Sequence, residues 1–294
     1  MRPRYRPIQR ASTGKMGCVV ATGEVVGRVA HLDVTAIKGF AVVDTERITV
    51  SDTGVLGNRE FFFVEPDGRV YSVDVDSALL PYWSRYAPTT NRLAIGDSQD
   101  PILEEAVPVE GEVKEFDFFE GSPRVGRFVA GPWDAWASSV AERPLALVQS
   151  VSPGGAYDAY PLTCQSEASL AALGSEADGQ PIDRRRFRMQ ITLSDVETAF
   201  SEDEWAGRSA TVGTCGVRLG GPVPRCVGVE HNPADRSRTV KILKAINRIR
   251  GVGHGEFGKG LMFGVYASVT EPGDIAVGDH LVLDPLVMSG VSPQ

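Results

Sequence analysis

The sequence predicts a mainly β protein with a few helices, organised as two domains. Short runs rich in β-branched and aromatic residues recur along the chain, separated by turn residues. Few stretches place apolar residues at helical spacing. Near SVSPGGAYDAYP the composition turns to Gly, Pro, Ser and Tyr, which marks a boundary at residue 150. Many short strands with few helices suggest barrels or sandwiches, and 294 residues are enough for two cores.

Residues 1–27 form a basic tail whose start, MRPRYRPIQRASTGKMG, has charge without an apolar signal core. Met16-Gly17-Cys18 resembles a second start site or lipidation signal, but Ala21 stands where Ser or Thr is needed, so the tail is expected to be untethered. The first domain, 28–150, opens with the strands RVAHLDVTAI and ERITVS. REFFFVE and RVYSVDV follow as a hairpin hinged at Pro66-Asp67-Gly68, then EVKEFDFF and RVGRFVAG. In GPWDAWASSVAE, Trp133, Trp136 and Val140 have helical spacing and suit core anchors. The second domain, 151–294, begins with a helix in SEASLAAL, with Ser166 as N-cap. RFRMQITL, SATVGTCGVRL and VPRCVGVE read as strands. A basic helix from Arg236 to Arg250 follows, with Val240, Leu243, Ile246 and Ile249 three residues apart, then a glycine-rich loop and two closing strands.

That loop, GVGHGEFGKG, imitates a phosphate-binding motif, since Gly253 to Lys259 spell G-x-x-x-x-G-K. A P-loop needs a strand before it and a helix after it, so that backbone N–H groups and the helix dipole meet the anion. Here the order is helix then strand, and Gly260 replaces the magnesium-holding hydroxyl. The loop is therefore expected to be a connector, with His254 and Glu256 in an exposed turn.

Apolar content of 42% and charged content of 23% are those of a globular protein. A net charge of −8 argues against nucleic acid as a partner and points to a small-molecule substrate or a protein. No run approaches the ~18 apolar residues of a membrane span, and the expected location is cytoplasmic. Cys18, Cys164, Cys215 and Cys226 lie far apart with no C-x-x-C pair, which supports neither a zinc ribbon nor an iron–sulfur cluster.

In order along the chain, VTAIKGFAV, TGVLGNREFFFVEPDGR, SEASLAAL, RFRMQITL, GPVPRCVGVEHNP, MFGVYASV and PGDIAVGDHLVL resemble the MOSC family, named for the C-terminal domain of molybdenum cofactor sulfurases, together with the β-barrel that precedes MOSC domains. The resemblance, which extends to amidoxime-reducing molybdenum proteins, implies two β-barrel-like domains and a bound molybdenum cofactor (molybdopterin). Cys226 then matches the protein thiolate on the metal, where a soft sulfur ligand suits molybdenum already held by dithiolene sulfurs. Lys38, Arg59 and Arg188 match residues that grip the cofactor's phosphate and pterin, a task suited to fixed cations. Ser166 and Glu167 fall on the S-x-A-S-L element, where donors at a helix start can also meet the cofactor, and Arg225 adjoins the thiolate. Several positions depart from the family pattern. Thr35-Ala36-Ile37-Lys38-Gly39 lacks the Tyr, Pro and Ser of Y-P-V-K-S, and Asn58 replaces Asp. Met189-Gln190 replaces Pro-Asn, and Val265 stands where many relatives have Gln.

The resemblance implies an oxidoreductase that removes oxygen from N-hydroxylated compounds, with electrons from a separate donor protein. Two alternatives stand beside it. One is a sulfurtransferase carrying a persulfide on Cys226. The other is a cofactor-free binding module whose basic helix docks an acidic partner.

Overall fold

The computed structural model describes residues 23–98, 100–118 and 123–285. Residues 1–22, and with them Cys18 and the Met16-Gly17-Cys18 signal, lie outside the described residues. Strands dominate, as the alternating patterns require, and they centre on a closed barrel.

Seven strands of a nine-stranded sheet close into a ring. In spatial order they are Leu162–Ser166, Ile191–Ser194, Glu24–Val34, His280–Leu283, Ser209–Val212, Cys215–Arg225 and Gly258–Glu271, which returns to the first. Leu162–Ser166 and Ile191–Ser194 run parallel, joined by the helix Glu167–Glu176, while the other neighbours in the ring are antiparallel. The barrel interior is apolar: Val29, Leu32, Leu162, Ile191, Leu193, Val212, Val217, Leu219, Val265 and Leu281 are almost wholly buried. Cys164 and Cys215 are buried there as ordinary core side chains.

The first half supplies a four-stranded antiparallel sheet, ordered Phe61–Val64, Ala146–Ser150, Pro123–Phe128 and Val113–Asp117. It also supplies the meander Trp83–Ala87, Arg92–Gly96 and Pro101–Ala106. The helix Pro132–Ala141 packs on these strands, and its Trp133 is fully buried with Phe40, Phe61, Phe63 and Leu147. A further cluster, with Leu173, Phe187, Met189, Val229, Ile246 and Phe263, packs the helices Glu167–Glu176 and Ile242–Arg250 against the barrel. Among the described residues, no helix is long and apolar enough to cross a membrane.

Several elements differ from the expected boundaries. Residues 24–27, expected in the tail, belong to the strand Glu24–Val34, which pairs with Ile191–Ser194 and His280–Leu283 of the second half. Gly273–Ala276 in turn pairs with Arg47–Ser51 of the first half, so the chain crosses the boundary at 150 in both directions. The strand expected over RFRMQITL begins only at Ile191. Asp183 accepts a hydrogen bond from the Arg185 N–H and caps a 3₁₀ turn at Arg184–Phe187, and Arg188 then takes a left-handed conformation at φ 57°. In VPRCVGVE the strand stops at Arg225 and a 3₁₀ turn occupies Val227–Glu230. The basic helix starts at Ile242 rather than Arg236, after an Asx turn in which Asn232 accepts from the Ala234 N–H. The glycine-rich loop is a hairpin in which Gly253–Gly255 pairs with Gly258–Gly260.

Gly264 shows how tightly the barrel wall is fitted. It has φ 69° within the long strand, and an added Cβ would lie 2.7 Å from the Cys164 carbonyl oxygen and against Met189. Gly264→Ala should therefore cost roughly 2 kcal/mol or more. Denaturant unfolding measures this, and an unchanged midpoint would show that the wall yields.

Candidate functional site

A cavity of about 450 Å³ opens where the barrel meets the first half. Lys38, Arg59, Arg186, Arg188, Arg225 and Lys259 line it, against the two carboxylates of Asp74 and Asp158. Six cations facing two anions give the cavity a strongly positive interior in an acidic protein.

Backbone contacts place these cations. The Lys38 N–H donates to the Phe61 carbonyl at 2.8 Å, beside the bridge from Ile37 to Phe61. Arg59 stands in a left-handed turn at φ 50°, held by its N–H on the Thr35 carbonyl while Asn58 accepts from the Thr35 N–H at 2.9 Å. The Arg59 guanidinium donates to the Arg188 carbonyl at 3.0 Å, which ties the two halves together. Arg225 donates to the carbonyls of Phe263 and Phe187 at 2.9 and 3.0 Å, with its guanidinium 5.3 Å from the centre of the Phe187 ring. Arg186 donates to the Glu230 carbonyl at 2.9 Å, in the turn that follows Cys226.

Carbonyl anchors leave the charges uncompensated. Nη1 of Arg188 and Nη2 of Arg225 are shut off from solvent with no acceptor among the described residues. Burial and the neighbouring Arg59 push Arg188 down to about 9, with Asp158 and Cys226 opposing the shift. Burial pushes Arg225 down to about 10 and lowers Arg59 as well. Asp158 is the counter-charge on this group, and its carboxylate accepts from Lys38 Nζ at 2.7 Å. Lys38, Arg59 and Arg188 hold the half-exposed Asp158 carboxyl below its usual range.

Cys226 is exposed at the cavity, where the strand ends and the 3₁₀ turn begins. Part of the lining is aromatic. Tyr160 stacks on Tyr266 with centroids 4.8 Å apart, and Phe257 meets Tyr266 edge-on at 5.8 Å. Burial pushes the Tyr266 hydroxyl up to about 12. Tyr160 donates to Glu256 at 2.6 Å, which fastens the hairpin tip to the cavity rim.

Residues 153–282 match the MOSC domain family. This part of the chain is a MOSC domain. The family is associated with molybdenum cofactor binding. The MOSC domain supplies Asp158, Arg186, Arg188, Arg225, Cys226 and Tyr266, while Lys38 and Arg59 enter from outside it. Similar solved structures include YiiM from Geobacillus stearothermophilus, at 19% identity over 45% of this chain and 58% of that one, with a TM-score of 0.31. The YUAD protein from Bacillus subtilis is 9% identical over 87% of this chain and 94% of that one, with a TM-score of 0.37. The chain thus spans less than two thirds of the Geobacillus protein. No curated protein matches the chain.

Lys38, Arg59, Arg188, Arg225 and Cys226 come together in the cavity, but Ser166 and Glu167 do not line it. The Ser166 hydroxyl is buried, accepting from the Ser169 N–H at 3.1 Å and contacting the buried Glu202, so it is engaged in capping the helix. Glu167 is half-exposed, 3.8 Å from His31. His254 and Glu256 stay on the hairpin, outside the lining. Asp158 and Tyr160 line the cavity without any local signal, because they sit in the Gly-, Pro- and Tyr-rich segment that reads as a boundary. Tyr266 reads from its neighbours as an ordinary aromatic strand residue. Gln190 accepts from the N–H and hydroxyl of the cavity-lining Thr163, at 2.9 and 2.8 Å.

The depressed Arg188 pKa has a definite sign. The folded state disfavours the charged form, so the guanidinium destabilises the ligand-free protein at pH 7, and this penalty begins to fade as pH rises through about 9. Arg188→Met should therefore leave ligand-free thermal stability at pH 7 equal or higher, as a thermal melt at pH 7 would measure. A large drop in ligand-free stability would show that the guanidinium is structural.

Proposed function

We propose that this protein is a molybdenum-cofactor-dependent oxidoreductase that reduces N-hydroxylated compounds, with electrons from a separate donor protein. The observation that carries this reading is the gathering of half-buried cations, two of them with a solvent-inaccessible donor that has no acceptor among the described residues, beside one exposed thiol in a single cavity. The residues fit a polyanionic organic group. Arg59, Arg188 and Lys38 hold its phosphate, and the orphaned N–H groups of Arg188 and Arg225 find acceptors on it.

Among the described residues, no cluster of three His, Cys, Asp or Glu side chains is placed to hold a metal ion. Cys226, exposed at the cavity, would be the chain's own sulfur ligand for a metal carried by the organic group. When bound, the cofactor would supply the two electrons that cleave the N–OH bond; one proton would leave with the hydroxyl as water and the other would form the new N–H bond. The chain's own part is placement. Tyr160, Tyr266 and Phe257 offer an aromatic wall for planar groups, and Arg186 fixes the turn that presents Cys226.

The exposure of Cys226 favours a second reading, in which the thiol carries a persulfide and transfers sulfur. Cys164 and Cys215 are buried in the barrel, which leaves Cys226 as the accessible thiol among the described residues.

Expression in a host that makes molybdenum cofactor, with Cys226→Ala alongside, tests both. The expected result is stoichiometric molybdenum and pterin in the wild type, with reduction of N-hydroxylated compounds abolished in a variant that still folds. Full turnover in Cys226→Ala would sink the thiolate role. A persulfide mass gain on Cys226 after exposure to a cysteine desulfurase, in protein without molybdenum, would establish sulfur transfer instead.

A further inference from the structure

Asp158 is a carboxylate among the cations that the proposed function assigns to an anion. Its oxygen lies 2.7 Å from Lys38 Nζ, and Arg59 and Arg188 act on the same carboxylate. We propose that Asp158 is an internal counter-ion, displaced when a phosphate group enters the cavity, and that it thereby sets the affinity and charge of what the cavity accepts. This rests on the reading of the cavity as an anion site.

Three observations carry the proposal. The backbone around Asp158 is pinned: Arg124 donates to the carbonyls of Tyr157 and Asp158 at 3.3 and 3.1 Å, and the Ala156 N–H donates to the Arg59 carbonyl at 2.8 Å. The side chain itself is 51% exposed, so it can leave Lys38 by rotation while the loop stays in place. Finally, the cations are incompletely satisfied with Asp158 present, since Arg188 Nη1 has no acceptor among the described residues. A phosphate has more acceptor oxygens than one carboxylate and can meet Lys38 and both arginines together. An incoming anion must overcome repulsion from Asp158 and break its pair with Lys38. A monoanion gains little by that exchange, whereas a phosphate dianion gains more.

The test titrates ligand-free protein with inorganic phosphate and with phenyl phosphate by calorimetry, comparing wild type, Asp158→Asn and Asp158→Glu. Asp158→Asn should bind the phosphate group roughly tenfold more tightly, while Asp158→Glu, which keeps the charge, should stay near wild type. Because the carboxyl is held below its usual range, Asp158 stays charged, and the gap between wild type and Asp158→Asn should be read above about pH 7, where the phosphate group is mostly a dianion. Tighter binding of phenyl phosphate than of inorganic phosphate identifies a phosphate carried on a planar organic group, and the reverse identifies the free ion; the Asp158→Asn gain must appear for whichever binds. Equal or weaker binding in Asp158→Asn overturns the counter-ion role and leaves the anion site intact. If neither ligand binds any of the three proteins, the anion-site reading fails and the inference with it.

Discussion

Arginines anchored to carbonyl oxygens are the constraint on which this structure turns. Arg59 reaches the Arg188 carbonyl, Arg225 the carbonyls of Phe187 and Phe263, and Arg186 that of Glu230. A carbonyl fixes a guanidinium without cancelling its charge, whereas a carboxylate would do both. The result is a group of like charges held close in a partly desolvated space. Such an arrangement opposes folding and favours an anionic ligand, so its cost must be met by the barrel core and the packing around Phe187 and Phe263.

The same anchors join the two halves of the chain. The Arg59 bond to Arg188 spans 129 residues, and the strand Glu24–Val34 closes the barrel formed by the second half. The cavity exists only when both halves are in place, because Lys38 and Arg59 come from one and Arg188, Arg225 and Cys226 from the other. Two of its arginines, Arg59 and Arg188, sit in left-handed backbone that a non-glycine residue adopts at a cost. That strain falls on the residues whose charges face the cavity.

Departures from the family pattern also acquire physical meaning. At Asn58, where the MOSC resemblance led to an expectation of aspartate, the side-chain oxygen accepts from the Thr35 N–H, which holds the turn that carries Arg59. Gln190, where the resemblance led to an expectation of asparagine, holds Thr163 through both its N–H and its hydroxyl. Val265, where the resemblance led to an expectation of glutamine in many relatives, is fully buried in the barrel core, where an apolar side chain leaves no polar group to satisfy.

By itself the sequence determined what depends on near neighbours. Alternating apolar residues specified strands and Ser166 specified a helix start through its bond to the Ser169 N–H, while Lys38, Arg59, Arg188, Arg225 and Cys226 stood out only through the resemblance to the MOSC family. It was silent on what depends on distant pairing. Nothing local says that Glu24–Val34 belongs to the second barrel, that Ser166 spends its hydroxyl on capping and on Glu202, or that Asp158 faces Lys38 across 120 residues. Local conformation follows from steric and hydrogen-bonding preferences within a few residues, whereas the sign and strength of an electrostatic site follow from which remote groups share one desolvated space. Only the tertiary structure decided that.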